Sequence, residues 1–283
     1  MIIIDLSQVM IATLMAQLGN HTNAEVDENL LRHMVLNSIR ANKVKFSPEY
    51  GEFVIAADGK MSWRKEFFPY YKANRKRDRD ASELNWNLIF ESLNKIRDEL
   101  KTYFPYRVIH LDGTEADDVI AILVKNRTNG MEKTLVLSGD KDFQQLQRYA
   151  NVKQYSPVLK KFITCKNPEA FLKEHIIRGD VGDGIPNFLS SDDSLVAGTR
   201  QKPISSKKLE SWLSADPAEF CTESMLRGFK RNQQLVDFDF IPKEIERAIL
   251  DEYAAQADKG RGQLFNYFVT NKLKGLTEAI NDF

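Results

Sequence analysis

Residues 134–146 read TLVLSGDKDFQQL: a short apolar run that meets two carboxylates, Asp140 and Asp142, with only Lys141 between them to offset the charge. A run of this length closed by a glycine reads as a buried strand. Taken alone, the two acids suit the start of a helix, where Asp accepts free backbone N–H groups and complements the positive end of the dipole. The arrangement recurs, however, at every other strand of this kind. MIII ends at Asp5, FVIAA ends at Asp58, and RVIHL leads through Asp112 to Glu115, Asp117 and Asp118. In an open parallel sheet ligands bind outside the carboxyl ends of the strands, so these acids are expected in one crevice.

The segments between the strands set the fold class. VDENLLRHMVLNSIRANKV places Val26, Leu30, Met34 and Val35 at helical spacing, and NWNLIFESLNKIRDELKTYF does so through Leu88, Ile89, Leu93, Ile96 and Leu100 before stopping at Pro105. EADDVIAILVKN is another helix, and one more is expected from about Asp142. Strands alternating with helices predict an α/β fold with a mostly parallel central sheet flanked by helices. Beyond about residue 160 the pattern is helical only: Asn167-Pro168 opens PEAFLKEHIIRG, Gly179 closes it, Asp216-Pro217 opens a second helix, and IPKEIERAILDEYAA is a third. The expected division is an α/β core over 1–160, with a basic arch at about 60–82 inside it, and a helical C-terminal region over 161–283.

Composition narrows the class. The 283 residues are 42% hydrophobic and 28% charged, ordinary for a globular chain. MIIIDLSQVM lacks the basic start and long apolar stretch of a signal peptide, and no run approaches the roughly 20 residues that cross a bilayer, so a cytoplasmic protein without a membrane partner is expected. Two cysteines and four histidines stand in no metal-ligand or redox spacing. The formal net charge is zero, from 40 basic and 40 acidic residues, but the signs are segregated. Lys60, Arg64, Lys65, Lys72, Arg75, Lys76, Arg77 and Arg79 crowd one short segment against only Glu66 and Asp78.

Several carboxylates held together repel one another unless protonated or neutralised by cations, and hard oxygen ligands favour Mg²⁺ or Mn²⁺. Asp180 and Asp183 in RGDVGDGIPNF add to the set; helical spacing is expected to put both on one side. A cluster of this size has room for two ions about 4 Å apart, the arrangement that clamps the attacking and leaving oxygens in phosphodiester displacement. A polyanionic substrate in turn accounts for WRKEFFPYYKANRKRDRD. Its cations suit phosphates, and Trp63, Phe67, Phe68, Tyr70 and Tyr71 are expected to offer stacking surfaces to bases. Pro69 interrupts the helix there, and Lys72 and Arg75, three apart, are expected to face the crevice and hold the scissile phosphate.

In this order, IIIDLSQ, VLNSIR, WRKEFFPYYKANR, EADDVIAILVK, SGDKDFQQL, NVKQYSP, RGDVGDGIPN, LVDFDFIP and YFVTNKLKGLTEAINDF resemble the flap-endonuclease family of structure-specific 5′-nucleases over nearly the whole chain. The resemblance implies that Asp5, Asp58, Glu115, Asp117, Asp118, Asp140, Asp142, Asp180 and Asp183 are metal-site carboxylates for two Mg²⁺ ions, with Mn²⁺ as a substitute. It implies that Arg64, Lys72 and Arg75 are catalytic arch and gateway cations. Lys65, Lys76, Arg77, Arg79, Arg200, Lys202, Lys207 and Lys208 are the expected nucleic-acid contacts. It further implies removal of RNA primers and 5′ flaps during replication by a monomer acting on branched or nicked DNA and RNA–DNA hybrids. A single-strand-binding protein or a sliding clamp is the expected protein partner, with the C-terminal tail as its contact. One segment departs from the family pattern: IPNFLSSDDSLVAGTRQKPISSKK lacks the glycine-rich hairpin that follows the corresponding acids in many relatives.

Three other readings fit less of the chain. A PIN-type ribonuclease shares the acids at strand ends but is usually shorter and has no RGDVGDG segment. A phosphatase of the haloacid dehalogenase type needs a second Asp two positions after the first, whereas Asp5 is followed by Leu6 and Ser7. A non-catalytic DNA-binding replication protein would have lost some of the acids, and all are in place.

Overall fold

The computed structural model describes residues 1–18, 27–82, 84–127 and 132–283; Val26, expected at the start of a helix, lies outside them. The chain forms two compact units, the first from Met1–Lys60, Glu83–Thr164 and Glu244–Phe283, the second from Met61–Ser82 and Cys165–Lys243. This differs from the linear division expected at residue 160. Composition and periodicity mark where a pattern changes along the chain, not where a later segment returns to an earlier core.

The first unit is built on a six-stranded sheet of order β3-β2-β1-β4-β5-β6. Its strands are β1 (Ile2–Asp5), β2 (Phe53–Ala57), β3 (Arg107–His110), β4 (Thr134–Leu137), β5 (Val152–Ser156) and β6 (Lys161–Ile163). All neighbours are parallel except β6, which runs antiparallel to β5. Side chains alternate across a strand, and here both faces are covered. Ile2, Ile4, Ile55, Val108, Leu135 and Leu137 enter one core with Leu31, Val35 and Ile39 of helix Glu28–Tyr50 and Ile96 and Leu100 of helix Trp86–Tyr103. Ile3, Val54, Ile109 and Val136, on the opposite face, are also fully buried. Helix Ala116–Asn126 is buried along most of its length.

Local signals explain where the helices begin. Asp27 accepts the N–H groups of Asn29 and Leu30, Asn85 that of Leu88, and Asn167 that of Ala170. Pro48 falls in the last turn of its helix, which runs on to Tyr50. Helix Leu6–Leu18 follows β1 directly, and the segment expected to be a helix from Asp142 is a 3₁₀ helix, Lys141–Arg148.

β3 is an edge strand, and its exposed backbone is covered by a side chain. The Gln256 amide accepts the Val108 N–H and donates to the Val108 carbonyl, both at 3.0 Å, in place of a further strand. The C-terminal segment belongs to the same core: Phe268 and Phe283 are buried and pack their rings against Phe104. The tail expected to be a partner contact is therefore largely structural in its apolar residues.

In the second unit helices Trp63–Phe67, Ala73–Asp80, Pro168–Arg178, Ser206–Ser214 and Glu223–Val236 surround a core of Phe68, Tyr71, Ile177, Phe188, Trp212 and Phe229, among others. The aromatic residues of the basic segment are thus mainly core. Trp63, Phe68 and Tyr71 are buried and unavailable for base stacking, Tyr70 is half-buried, and Phe67 is exposed. None of the described helices is long and apolar enough to cross a membrane.

One buried ion network stabilises the helical layer of the first unit. Arg32, almost wholly buried, donates to Glu99 through Nε (2.7 Å) and Nη2 (2.8 Å) and to Glu28 (2.7 Å), while the Tyr267 hydroxyl donates to Glu99 (2.7 Å). Removing one partner strands the other charges in a poor dielectric. Glu99→Ala is expected to cost roughly 3 kcal/mol of stability, read as a lower urea midpoint at unchanged slope. A midpoint equal to that of the wild type contradicts this.

Candidate active site

The polar edge of the first unit is made by the C-terminal ends of its strands. β1 lies between β2 and β4, at the point where the strand order reverses, so Asp5 at its end stands between Asp58, which follows β2, and Asp140, which follows β4. Asp5 is only 6% exposed. Its Oδ1 accepts the Gln8 N–H and its Oδ2 the Ser138 hydroxyl, each at 3.1 Å. Burial, and then the charges of Asp58 and Asp140, push the Asp5 carboxyl up to about 7 against these two hydrogen bonds.

The neighbouring acids are fixed by backbone donors. Asp58 accepts the Ser7 hydroxyl (2.5 Å) through Oδ2 and the Ala116 N–H (2.8 Å) through Oδ1, which sets it at the positive start of helix Ala116–Asn126. A Cβ at Gly59 would lie 1.7 Å from the Leu111 carbonyl oxygen, so only glycine lets the chain leave β2 by this route. Asp140 accepts the Asp142 N–H (2.9 Å), and its own N–H donates to the Ser138 hydroxyl (3.1 Å). Gln154 locks that turn by donating to the carbonyls of Ser138 (3.0 Å) and Asp140 (2.6 Å). Asp117 and Asp142 are half-buried. Asp118 is fully buried and accepts the Glu115 N–H (2.9 Å), so this carboxylate orients Glu115 at the head of the helix.

Asp180 and Asp183 belong to the second unit and do not lie on a helix. Asp180 and Ile185 exchange backbone hydrogen bonds across a tight turn (2.8 and 2.7 Å), and Gly179 and Gly184 take positive φ at its ends. The helical spacing expected for the two acids is therefore replaced by a turn, in which Asp180 Oδ1 accepts the Asp183 N–H at 3.2 Å. His175, which stood apart from any sequence motif, places Nε2 3.2 Å from Asp180 Oδ2.

The same turn clasps the basic segment. Arg75 Nη2 donates to Asp183 Oδ1 (2.6 Å), the Tyr71 hydroxyl donates to Oδ2 (3.2 Å), and Lys72 Nζ lies 3.8 Å from Oδ2. Lys72 is left-handed (φ 54°), and its N–H donates to the Asp183 carbonyl at 2.7 Å. Arg64, expected as a catalytic arch cation, is 3% exposed, lies over the Trp63 ring, and its Nε donates to the Leu235 carbonyl. A guanidinium so enclosed braces the fold. Lys65, Lys76, Arg77, Arg200, Lys202, Lys207 and Lys208 are exposed, and Arg79 is half-buried.

The segment that lacks the glycine-rich hairpin is ordered by a different device. Asn187 donates to the Lys202 carbonyl, its N–H donates to the Gln201 side chain, and Ser190 bridges Asn187 and Lys202, closing the loop. Buried Arg231 reaches into it, donating to Asp192 (2.6 Å) and to the carbonyls of Pro186 (3.0 Å) and Asn187 (3.2 Å).

Sequence comparison agrees with this geometry. Residues 1–175 match the model of the 5′-3′ exonuclease N-terminal resolvase-like domain, and residues 167–283 match that of the T4 RNase H C-terminal region. The ribonuclease H of Enterobacteria phage T4 is 36% identical over 292 residues, covering 99% of this chain and 95% of that protein. The flap endonuclease Xni of Shewanella woodyi is 31% identical over 135 residues, 44% of this chain and 49% of that protein. The fold is shared with a bacteriophage T5 flap endonuclease crystallised with DNA and metal ions, at a TM-score of 0.65 and 18% identity over 91% of this chain and 99% of that one. A strand-end acid cluster, a full-length relative and both family regions lead to one conclusion: the chain belongs to the 5′-3′ exonuclease family and is a nuclease.

Proposed function

We propose that the chain is a Mg²⁺-dependent 5′-to-3′ nuclease with ribonuclease H and flap endonuclease activity, removing RNA primers and 5′ flaps from lagging-strand fragments during DNA replication. The observation that carries this reading is the Asp5–Asp58–Asp140 edge, where burial and mutual repulsion raise the Asp5 carboxyl to about 7. Such an all-oxygen set fits a hard divalent cation. Asp5, Asp58, Glu115, Asp117 and Asp140 would hold one ion, with Asp142, Asp180 and Asp183 assigned to a second; Asp118 and Arg64 act as positioning residues. Bound there, two divalent ions supply charge stabilisation and activate water for in-line attack on phosphorus.

The remaining roles fall to this chain's own side chains. Lys72 and Arg75 hold the scissile phosphate, and Asp183 keeps both oriented before substrate arrives. The exposed Lys65, Lys76, Arg77, Arg200, Lys202, Lys207 and Lys208, with Arg79, track phosphates of branched or nicked DNA and RNA–DNA hybrids. The T4 relative supports the hybrid as substrate and the flap endonucleases support the flap. The enzyme acts as a cytoplasmic monomer beside a single-strand-binding protein or a sliding clamp, and leaves a 5′-phosphate and a 3′-hydroxyl.

Asp140→Asn preserves the oxygen that caps Asp142 but removes one anion. Cleavage of a 5′-flap substrate in Mg²⁺ is expected to be abolished while binding stays equal or tightens; near-normal turnover contradicts the assignment. Arg75→Ala is expected to lower the single-turnover rate by about 10²- to 10³-fold, the scale of one lost charge-stabilising donor, with a much smaller change in affinity. A variant weakened only in binding at low salt returns Arg75 to general phosphate attraction.

A further inference from the structure

Lys43, Ser47, Glu52, Tyr106, Arg107 and Arg261 line a cavity of about 430 Å³ in the first unit. It lies at the end of the sheet opposite to the acids, because Phe53 and Arg107, the first residues of β2 and β3, form part of its wall. Small-molecule sites span about 300–1,000 Å³, so the space suits a compact ligand.

Its wall concentrates donors that the fold leaves unmet. Tyr106 is 2% exposed, and its hydroxyl, the Arg107 Nε and the Ser47 hydroxyl are buried without a hydrogen-bond partner among the described residues, as is one acceptor beside them, the Glu52 Oε1 that faces the Arg107 guanidinium. A buried donor left unsatisfied is destabilising, so three on one wall favour a shared acceptor. The charges agree. Glu52 is already engaged by Arg107, by Arg127 Nη2 (3.2 Å) and by the Tyr253 hydroxyl (2.6 Å). Lys43 donates to the carbonyls of Asp282 (3.0 Å) and Phe283 (3.2 Å), and burial, then the nearby charge of Arg261, lower its ammonium below the ordinary lysine range. Arg261 donates to the Ile280 carbonyl. Burial pushes the Tyr106 phenol up, so it is a neutral donor.

We infer that this cavity binds a phosphate monoester or free phosphate, with the Tyr106 hydroxyl and Arg107 Nε donating to its oxygens and Lys43 and Arg261 balancing its charge. The site is separate from the catalytic edge and does not rest on the reaction assigned there. Inorganic phosphate and a nucleoside 5′-monophosphate share this chemistry.

Thermal melting of the full chain tests it, with Mg²⁺ constant and NaCl matching ionic strength, while phosphate or AMP is raised to about 10 mM. Wild type is expected to rise saturably in Tm. Without either ligand, Tyr106→Phe is expected to melt at or above the wild-type temperature, because it deletes an unmet donor, and to bind at least about tenfold more weakly. Arg261→Gln should weaken binding similarly, while Asp140→Asn retains the full response. Tighter binding of AMP places sugar and base in the cavity as well; equal binding assigns the phosphate group alone. A lower Tm for Tyr106→Phe without ligand overturns the inference, since the hydroxyl is then already satisfied, by an ordered water only. So does an equal response in wild type and both cavity variants, a response lost in Asp140→Asn, or no saturable response.

Discussion

The structure depends on one electrostatic constraint: a carboxylate, Asp5, buried at the end of the central strand with Asp58 and Asp140 on either side. Parallel pairing of β1 with both β2 and β4 makes this crowding unavoidable, since each strand delivers its acid at the same edge. The protein offsets part of the repulsion with Ser7, Gln8, Ser138 and the first N–H of helix Ala116–Asn126. The remainder leaves Asp5 protonated to near neutral pH, or available to a cation. A site that opposes its own ionisation in this way costs stability unless its charge is neutralised, which is the ground on which we propose a cation there.

Within the second unit the charges are arranged differently. Asp183, next to Asp180 in its turn, is met there by donors: it anchors Arg75 and Tyr71 and draws in Lys72. The turn that carries it admits no side chain at Gly184, where a Cβ would lie 2.7 Å from the Tyr70 carbonyl oxygen. The close approach of the turn to the basic segment thus depends on glycine, and the position of the two cations depends on the turn. Buried Asn232 holds its far side by donating to the carbonyls of Ile176 (2.8 Å) and Pro186 (2.9 Å).

Much of this was legible in sequence because burial on both faces makes a strand an uninterrupted apolar run. β1 to β4 and their terminal acids stand out for that reason. β5 does not, because Gln154 and Ser156 are polar yet buried, Gln154 serving the turn at Asp140 rather than the core. Spacing alone suggests a helix for Asp180 and Asp183, but a turn with positive-φ glycines brings residues three apart together as well. Aromatic residues among cations suggest a stacking surface, but Phe68 and Tyr71 are core, and Arg64 is enclosed. Hydrophobic demand is set by three-dimensional neighbours, which no local pattern specifies. Ser7, Gln8 and Ser138, beside the acids in IIIDLSQ and SGDKD, carried no signal of their own beyond adjacency.

The central claim is that the Asp5 edge holds a divalent cation in place of a proton. With its carboxyl at about 7 in the folded chain and 3.8 ordinarily, Asp5 favours the metal-free fold at low pH, and that advantage is lost as pH rises towards about 7. A bound ion removes the penalty. The direct measurement is Tm with and without Mg²⁺ from about pH 5 to 8.5, for the wild type and Asp5→Asn. The account predicts a gap that widens as pH rises to about 7 and then levels, and that is strongly reduced in Asp5→Asn. A gap independent of pH, or one equally large in the variant, contradicts it.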